Sequence, residues 1–347
     1  MRKNKWLLNG TLVGGLLLIV LAIFLPLPYY IEEPGSTINL KELITVNNQS
    51  DQQSGEFALT SVGVRQATPL RFVLAKFSDF DEIVTEKEFY GESTSEEYDQ
   101  MQKYYMQSAQ NNAIQQALSL AKKPYTWSYK GVYVMSIDTH SSFYGKIQVG
   151  DTVTKVNGQA FENSQAFIDA IKAKTVGEEV TITYLHDGKS LEATGKLIEL
   201  SETKKAGIGI TLVDHSEIDS SIPIAFHIEN IGGPSAGLMF TLEIYEQLTQ
   251  ENLRKGKKIA GTGTIDETGQ VGRIGGIDKK VASASKAGFE FFFAPDDEIT
   301  SEEKASDPTI QSNYEEAKAA AKKLGTDMKI IPVKTVQDAL DYLKALT

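Results

Sequence analysis

Asn230-Ile231-Gly232-Gly233-Pro234-Ser235-Ala236-Gly237 is followed after a spacer by Thr262-Gly263, and then by Arg273-Ile274-Gly275-Gly276-Ile277-Asp278-Lys279-Lys280. The first run sets one serine in a Gly/Pro frame ahead of an apolar helix. Gly232, Gly233 and Gly237 permit close backbone approach, Pro234 suits a first helical turn, and free N–H groups at a helix start favour developing negative charge. On a helical wheel with Ile277 at zero, Lys280 falls in one stripe with Val281, Ala284 and Ala287, while Lys279 and Lys286 point the other way. The apolar face therefore carries Lys280, and burial would lower its pKa and supply a neutral amine as general base. Lys279 is expected to stay solvated and charged. Taken alone, Ser235 reads first as a helix cap and Lys280 as a surface lysine with a packed stem. Together they offer a nucleophile and its base without a histidine.

Other chemistries fit poorly. Gly233-Pro234-Ser235-Ala236-Gly237 matches Gly-x-Ser-x-Gly, but a hydrolase elbow needs a later histidine, and His140, His186, His215 and His227 all precede Ser235. Ser-x-x-Lys at Ser283–Lys286 recurs at Ser201–Lys204 and Ser301–Lys304 with no accompanying Ser-Asp-Asn or Lys-Thr-Gly, which marks it as chance. Gly188-Lys189-Ser190 has Thr183 where a phosphate loop requires glycine, and no complete Walker A run occurs. With no cysteine and no His-Glu-x-x-His, neither a metal nor another cofactor is expected. A formal charge of -11 without a basic stripe argues against nucleic acid as a partner.

From Glu202 to Thr347 the pattern alternates in an α/β manner, with strands at Ile222–Ile228, Lys258–Ile265 and Phe289–Pro295. Helices are expected at Ala236–Leu248, Ile277–Ala287, Glu315–Leu324 and Val336–Ala345. Between Gly131 and Leu200 the rhythm is different. A β run at Val132–Ile137, a Gly150-Asp151 turn, a strand to Val156, an Asn157-Gly158 turn, a helix capped by Ser164 and a hairpin turning at Asp187-Gly188 follow one another. Tyr30 to Tyr125 holds a strand at Phe57–Val64 and a polar helix from Ser95 to Ala121 whose apolar spacing predicts a packing face. Arg2, Lys3 and Lys5 precede an uncharged stretch from Trp6 to Leu27, with Glu32 and Glu33 beyond it. That reads as an uncleaved transmembrane helix with its basic end in the cytoplasm, everything after Pro28 outside, and Tyr29 and Tyr30 at the interface.

Gly150-Asp151 with Asn157-Gly158 makes the segment from Gly131 to Leu200 resemble a bacterial PDZ domain, which implies a groove for an extended peptide. No Gly-Leu-Gly-Phe-like carboxylate loop precedes Gly131. Ser235, Thr262-Gly263 and Lys280 in their order resemble the Lon protease proteolytic domain. That resemblance implies that Ser235 attacks a peptide carbonyl, Lys280 is its partner, Thr262 positions the amine, and Gly233, Pro234 and Ala236 support the serine. Gly232 departs from the acidic residue that many Lon proteases carry there.

The whole resembles the PDZ-containing, membrane-anchored Lon-like proteases of Gram-positive bacteria. The expected fold is an α+β multidomain chain: a cytoplasmic tail (1–5), a transmembrane helix (6–27), an extracytoplasmic region (28–125), a PDZ-like β-rich domain (126–200) and a C-terminal α/β Lon-type proteolytic domain (201–347). The implied function is ATP-independent serine endopeptidase action on unfolded or flexible extracytoplasmic protein segments, with PDZ-assisted substrate binding or regulation. Implied partners are protein or peptide substrates, the membrane, and further copies of the chain in a hexamer. The alternative is a non-catalytic, membrane-tethered PDZ adaptor.

Overall fold

In the computed structural model, described for residues 2–91, 93–201, 203–228 and 231–346 with side chains from Leu12 onward, apolar alternation decides the architecture. Phe57, Leu59, Ile259, Phe291 and Phe293 face one core, while Ala58, Ala260, Phe292 and Ala294 face another. A period of two with both faces apolar is what a sheet covered on both sides requires. The six-stranded sheet runs Lys329–Val333, Phe291–Pro295, Lys258–Gly261, Glu56–Gln66, Tyr29–Asn39, Glu82–Thr85. Its first four strands are parallel and its last two antiparallel additions.

Helix Gly237–Thr249 lies on the first face with part of the long helix Ser95–Leu120 and with Val336–Ala345. Helices Ile277–Lys286 and Asn313–Leu324 cover the second. Gly237 to Gln247 are buried on every side, so this helix shows little amphipathic period. Ser95–Leu120 is started by a capping box, with Thr94 and Glu97 exchanging hydrogen bonds.

A second, antiparallel sheet runs Lys189–Lys196, Glu179–His186, Thr152–Val156, Thr126–Ile137, Ile210–Asp219. It closes with helix Ser164–Lys172 on a separate core of Val132, Val134, Phe143, Val153, Ile182 and their neighbours. Asn163, not Ser164, caps that helix, accepting from the Ala166 N–H.

Two parts of the expected fold are corrected. Among the described residues no helix is long and apolar enough to cross a membrane, which overturns the transmembrane segment at 6–27 and the single-pass placement drawn from it. The helix Arg2–Phe24 itself forms. Nor is the α/β layer confined to the C-terminal segment. Strands Tyr29–Asn39 and Glu56–Gln66 complete its sheet, while Ile210–Asp219 leaves for the other.

Candidate functional site

The serine and lysine helices lie on opposite faces of the sheet, and their ends meet beyond the carboxyl end of strand Lys258–Gly261, the end of a parallel sheet at which sites commonly form. Gly276 makes the approach of the lysine helix possible. It caps the helix in the left-handed region at φ +64, and a Cβ there would lie 2.7 Å from Val62 Cγ2. Ser235 is two residues ahead of the first helical residue. The cap position is Ala236, which makes no side-chain cap bond, so the hydroxyl of Ser235 is not spent on the helix. Gly233 has φ +89, a turn that a larger residue would strain. Asn230, the first residue of the motif, lies outside the described residues.

Lys280 Nζ donates to Ser235 Oγ at 2.8 Å, to the Thr60 carbonyl at 3.0 Å and to Thr262 Oγ1 at 3.3 Å. Thr262 Oγ1 in turn donates to the Ser235 carbonyl at 3.0 Å, which also accepts the Gly263 N–H at 2.9 Å. A hydroxyl has one proton; because that proton goes to Ser235, Thr262 presents only lone pairs to the amine. Lys280 is 4% exposed and Thr262 1%. Among the described residues no carboxylate faces the amine, and burial lowers its pKa to about 8. The pair can therefore pass a proton from hydroxyl to amine without any third ionised group.

The neighbouring lysine departs from expectation. Lys279 is buried, not solvated, and it contacts Glu82 at 2.9 Å and Asp278 at 3.5 Å. Burial opposes its charge, but the hydrogen bond it donates to Glu82 and the charges of Asp278, Glu82 and Glu32 outweigh this and raise its pKa. Two adjacent lysines are thus driven apart, one toward the free base and one toward the ammonium. The helical wheel separated their directions, but strand Glu82–Thr85, which supplies the partner, was not readable from spacing.

None of the four histidines shares a described hydrogen bond with Ser235. His140 contacts Asp138, His186 contacts Asp151, His215 contacts Thr152 and Gln107, and the His227 N–H donates to the Leu43 carbonyl. Carboxylate oxygens of Asp51, Glu243 and Glu246 lie within 4.8 Å of one another, but the cation among them is the guanidinium of Arg254.

A second feature went unread. Gly207-Ile208-Gly209-Ile210 opens strand Ile210–Asp219, the edge of the antiparallel sheet. Gly209 has φ +79, and a Cβ there would meet Ile198 and Ser141 within 3 Å. The Gly-apolar-Gly-apolar spelling thus lies downstream of the hairpin and not ahead of Gly131. The Ser164 N–H, at the start of the neighbouring helix, donates to Asp214 of the same edge strand at 2.7 Å.

Comparison with known proteins gives a match to the PDZ domain family over residues 103–197. Similar curated proteins are Lon proteases. That of the Aster yellows witches'-broom phytoplasma is 24% identical over 47% of this chain and 20% of its own length. That of Ureaplasma parvum is 38% identical over 27% and 12%, and the archaeal Lon protease of Halobacterium salinarum is 25% identical over 55% and 25%. The chain thus spans a quarter or less of these relatives' length. Among solved structures, the PDZ domain of the SdrC-like protein of Listeria monocytogenes is 43% identical over 25% of this chain and 90% of that one, with a TM-score of 0.24, too low to compare architectures. PDZ domains take up extended peptides. The chain carries a PDZ domain, joined here to an α/β unit in which a serine and a lysine meet.

Proposed function

We propose that the protein is an ATP-independent serine endopeptidase in which Ser235 is the nucleophile and Lys280 its general base, acting on unfolded or flexible protein segments. The observation that carries this reading is the 2.8 Å contact between Ser235 Oγ and a buried amine with no counter-ion among the described residues. The neutral amine takes the hydroxyl proton as Oγ attacks the peptide carbonyl, then returns it to the leaving amine. Water repeats the cycle on the acyl-enzyme. Gly233, Pro234 and Ala236 shape the turn that presents the serine. Nothing recognisable in the sequence could pull chain from a stable fold, so substrates must already be open. The PDZ unit assists by adding a peptide strand at Ile210–Asp219, and the proteolytic unit assembles as a homo-oligomer, hexameric by resemblance. The test is cleavage of a flexible reporter peptide by the purified chain, beside a tightly folded domain that should survive.

The pH dependence has a definite sign. Below about 8 Lys280 is an ammonium and cannot accept a proton; above it the amine is free. At subsaturating peptide, kcat/KM should therefore rise roughly tenfold per pH unit below 8 and level off above it. A flat profile from pH 6 to 9 would remove Lys280 as base.

Thr262→Val keeps the shape but loses both the acceptor for Lys280 and the donor to Ser235. Expected is a fall in kcat of about 10- to 100-fold with KM little changed, and recovery in Thr262→Ser. Equal losses in the Val and Ser variants would deny the hydroxyl a positioning role.

The second reading, a non-catalytic PDZ adaptor, is favoured by the match to a peptide-binding family. It requires that Ser235→Ala and Lys280→Ala leave every property of the chain intact.

A further inference from the structure

We infer that the first half of helix Ser95–Leu120 is a latch, restraining the loop ahead of Ser235 and held by the same strand edge to which a PDZ peptide would add. Resting on the reading of Ser235 as nucleophile, it deepens that reading by naming how the site is regulated.

The second half of the helix is fixed. Ala113 and Ala117 are in the main core, and Asn112 and Gln116 donate to the carbonyls of Ile265 and Glu267 at 2.8 and 2.6 Å. The first half has no buried residue before Met106; its start rests on Phe89 and Tyr90 through Tyr98, and two further contacts hold it. Toward the serine, the Gln102 carbonyl accepts the Gly233 N–H at 3.0 Å. Gly232 sits so close that a Cβ on it would be 2.7 Å from Gln102 Cβ. The N–H two residues before Ser235 is therefore occupied by the helix and is not free to meet a substrate oxygen.

Toward the antiparallel sheet, Tyr104 Oη of the first half donates to the Asp214 carbonyl at 2.9 Å, and Asn111 Nδ2, just past the midpoint, to the Ser216 carbonyl at 2.8 Å. The Tyr104 ring lies 4.6 Å from that of Tyr133. Asp214 and Ser216 lie two apart on the edge strand, across a register shift between His215 and Ser216, and both carbonyls accept from the helix at the edge where an added strand makes its own hydrogen bonds. A peptide extending along that edge past Val213 has to take these acceptors from Tyr104 and Asn111. The helix then loses its hold on the sheet while its far half stays anchored, and the Gln102 carbonyl is released from Gly233.

Coupling of this kind is reciprocal, which supplies a two-way test in the full chain with no peptide needed. Tyr104→Phe/Asn111→Ala removes the edge contacts. It is expected to speed amide exchange at 231–236 and to raise reporter-peptide cleavage about 5- to 10-fold. Gly232→Ala presses from the other side and is expected to speed exchange across Ile210–Asp219. Thermal melting checks that both variants stay folded. Unchanged exchange at 231–236 in the double variant, at Ile210–Asp219 in Gly232→Ala, or a fall in cleavage in the double variant overturns the latch and leaves the protease reading standing. Exchange that moves in both directions in a chain that cleaves nothing keeps the coupling and removes the protease.

Discussion

Ser235→Ala is expected to lower peptide cleavage by roughly four orders of magnitude or more, and Lys280→Met and Lys280→Arg to do the same, because nucleophile and base act as one unit and losing either removes the step. Arginine is the sharper probe. It keeps the positive charge and much of the bulk, but it stays protonated at any accessible pH and cannot accept the Ser235 proton. Activity retained in Lys280→Arg would remove the base from the mechanism whatever the geometry.

The same substitution has a stability signature that separates chemistry from misfolding. Lys280 is an ammonium near 10.5 in its ordinary state, and burial brings it to about 8 in the folded chain. Stability that the side chain shows above its unfolded value near 10.5 is lost as pH falls through the folded value. At pH 7 the folded state carries a penalty of about 3 kcal/mol. Lys280→Met has no charge to bury and should be more stable than the wild type by about 1–3 kcal/mol at pH 7, the margin closing as pH approaches 10.5. An inactive, stabilised variant is what a residue kept for function against stability produces. An inactive, destabilised one would mark Lys280 as structural.

What the sequence disclosed follows from how local each signal is. Helix Val336–Ala345 was read to the residue and Ile277–Lys286 to within one, because their apolar stripes and glycine or threonine boundaries lie inside the segment. The direction of Lys280 came from the same local periodicity. What remained hidden depends on contacts far along the chain. Thr60, whose carbonyl takes a hydrogen bond from Lys280, is 220 residues away, and Glu82 is 197 residues from Lys279. Strand Glu82–Thr85, four residues on a sheet edge, has no period long enough to recognise. The apolar stretch near the N-terminus was read from its length and flanking charges, and among the described residues no helix is long and apolar enough to cross a membrane.

Arg254→Met is expected to cost the α/β unit about 3–5 kcal/mol, the largest single loss of stability foreseen for this chain. Arg254 is 0% exposed. Its guanidinium contacts Asp51, Glu243 at 3.4 Å and Glu246 at 2.8 Å, and lies 5.1 Å from the centre of the Phe57 ring. The contact to Glu246 is close without hydrogen-bond alignment, so charge, not direction, holds it. Glu246 spends its other oxygen on the N–H groups of Leu253 and Arg254. Three carboxylates around one guanidinium, with only Lys41 beside Asp51 at 3.5 Å, leave an excess of negative charge. Burial accordingly raises Glu243 to about 7 against the pull of Arg254.

Methionine fills the volume and leaves that charge unanswered, which costs more than the pair itself contributes. Glu243 and Glu246, already raised by burial, then rise further above their unfolded values, while Asp51, where burial is outweighed by the Gln53 N–H and the Arg254 guanidinium, loses the second of these. Stability present below those unfolded values is lost as pH climbs through the folded ones, so the deficit should be deepest at pH 8 and smaller at pH 5. Adding Asp51→Asn, Glu243→Gln and Glu246→Gln to the Met variant should recover much of the loss at pH 8. The separate core around Val132, Phe143 and Ile182 predicts that amide exchange in the antiparallel sheet changes far less than in helix Gly237–Thr249. Urea unfolding at the two pH values reads the first claim, and exchange in the two units reads the second. A deficit independent of pH would mean that Arg254 acts through packing on Phe57 and not through its charge.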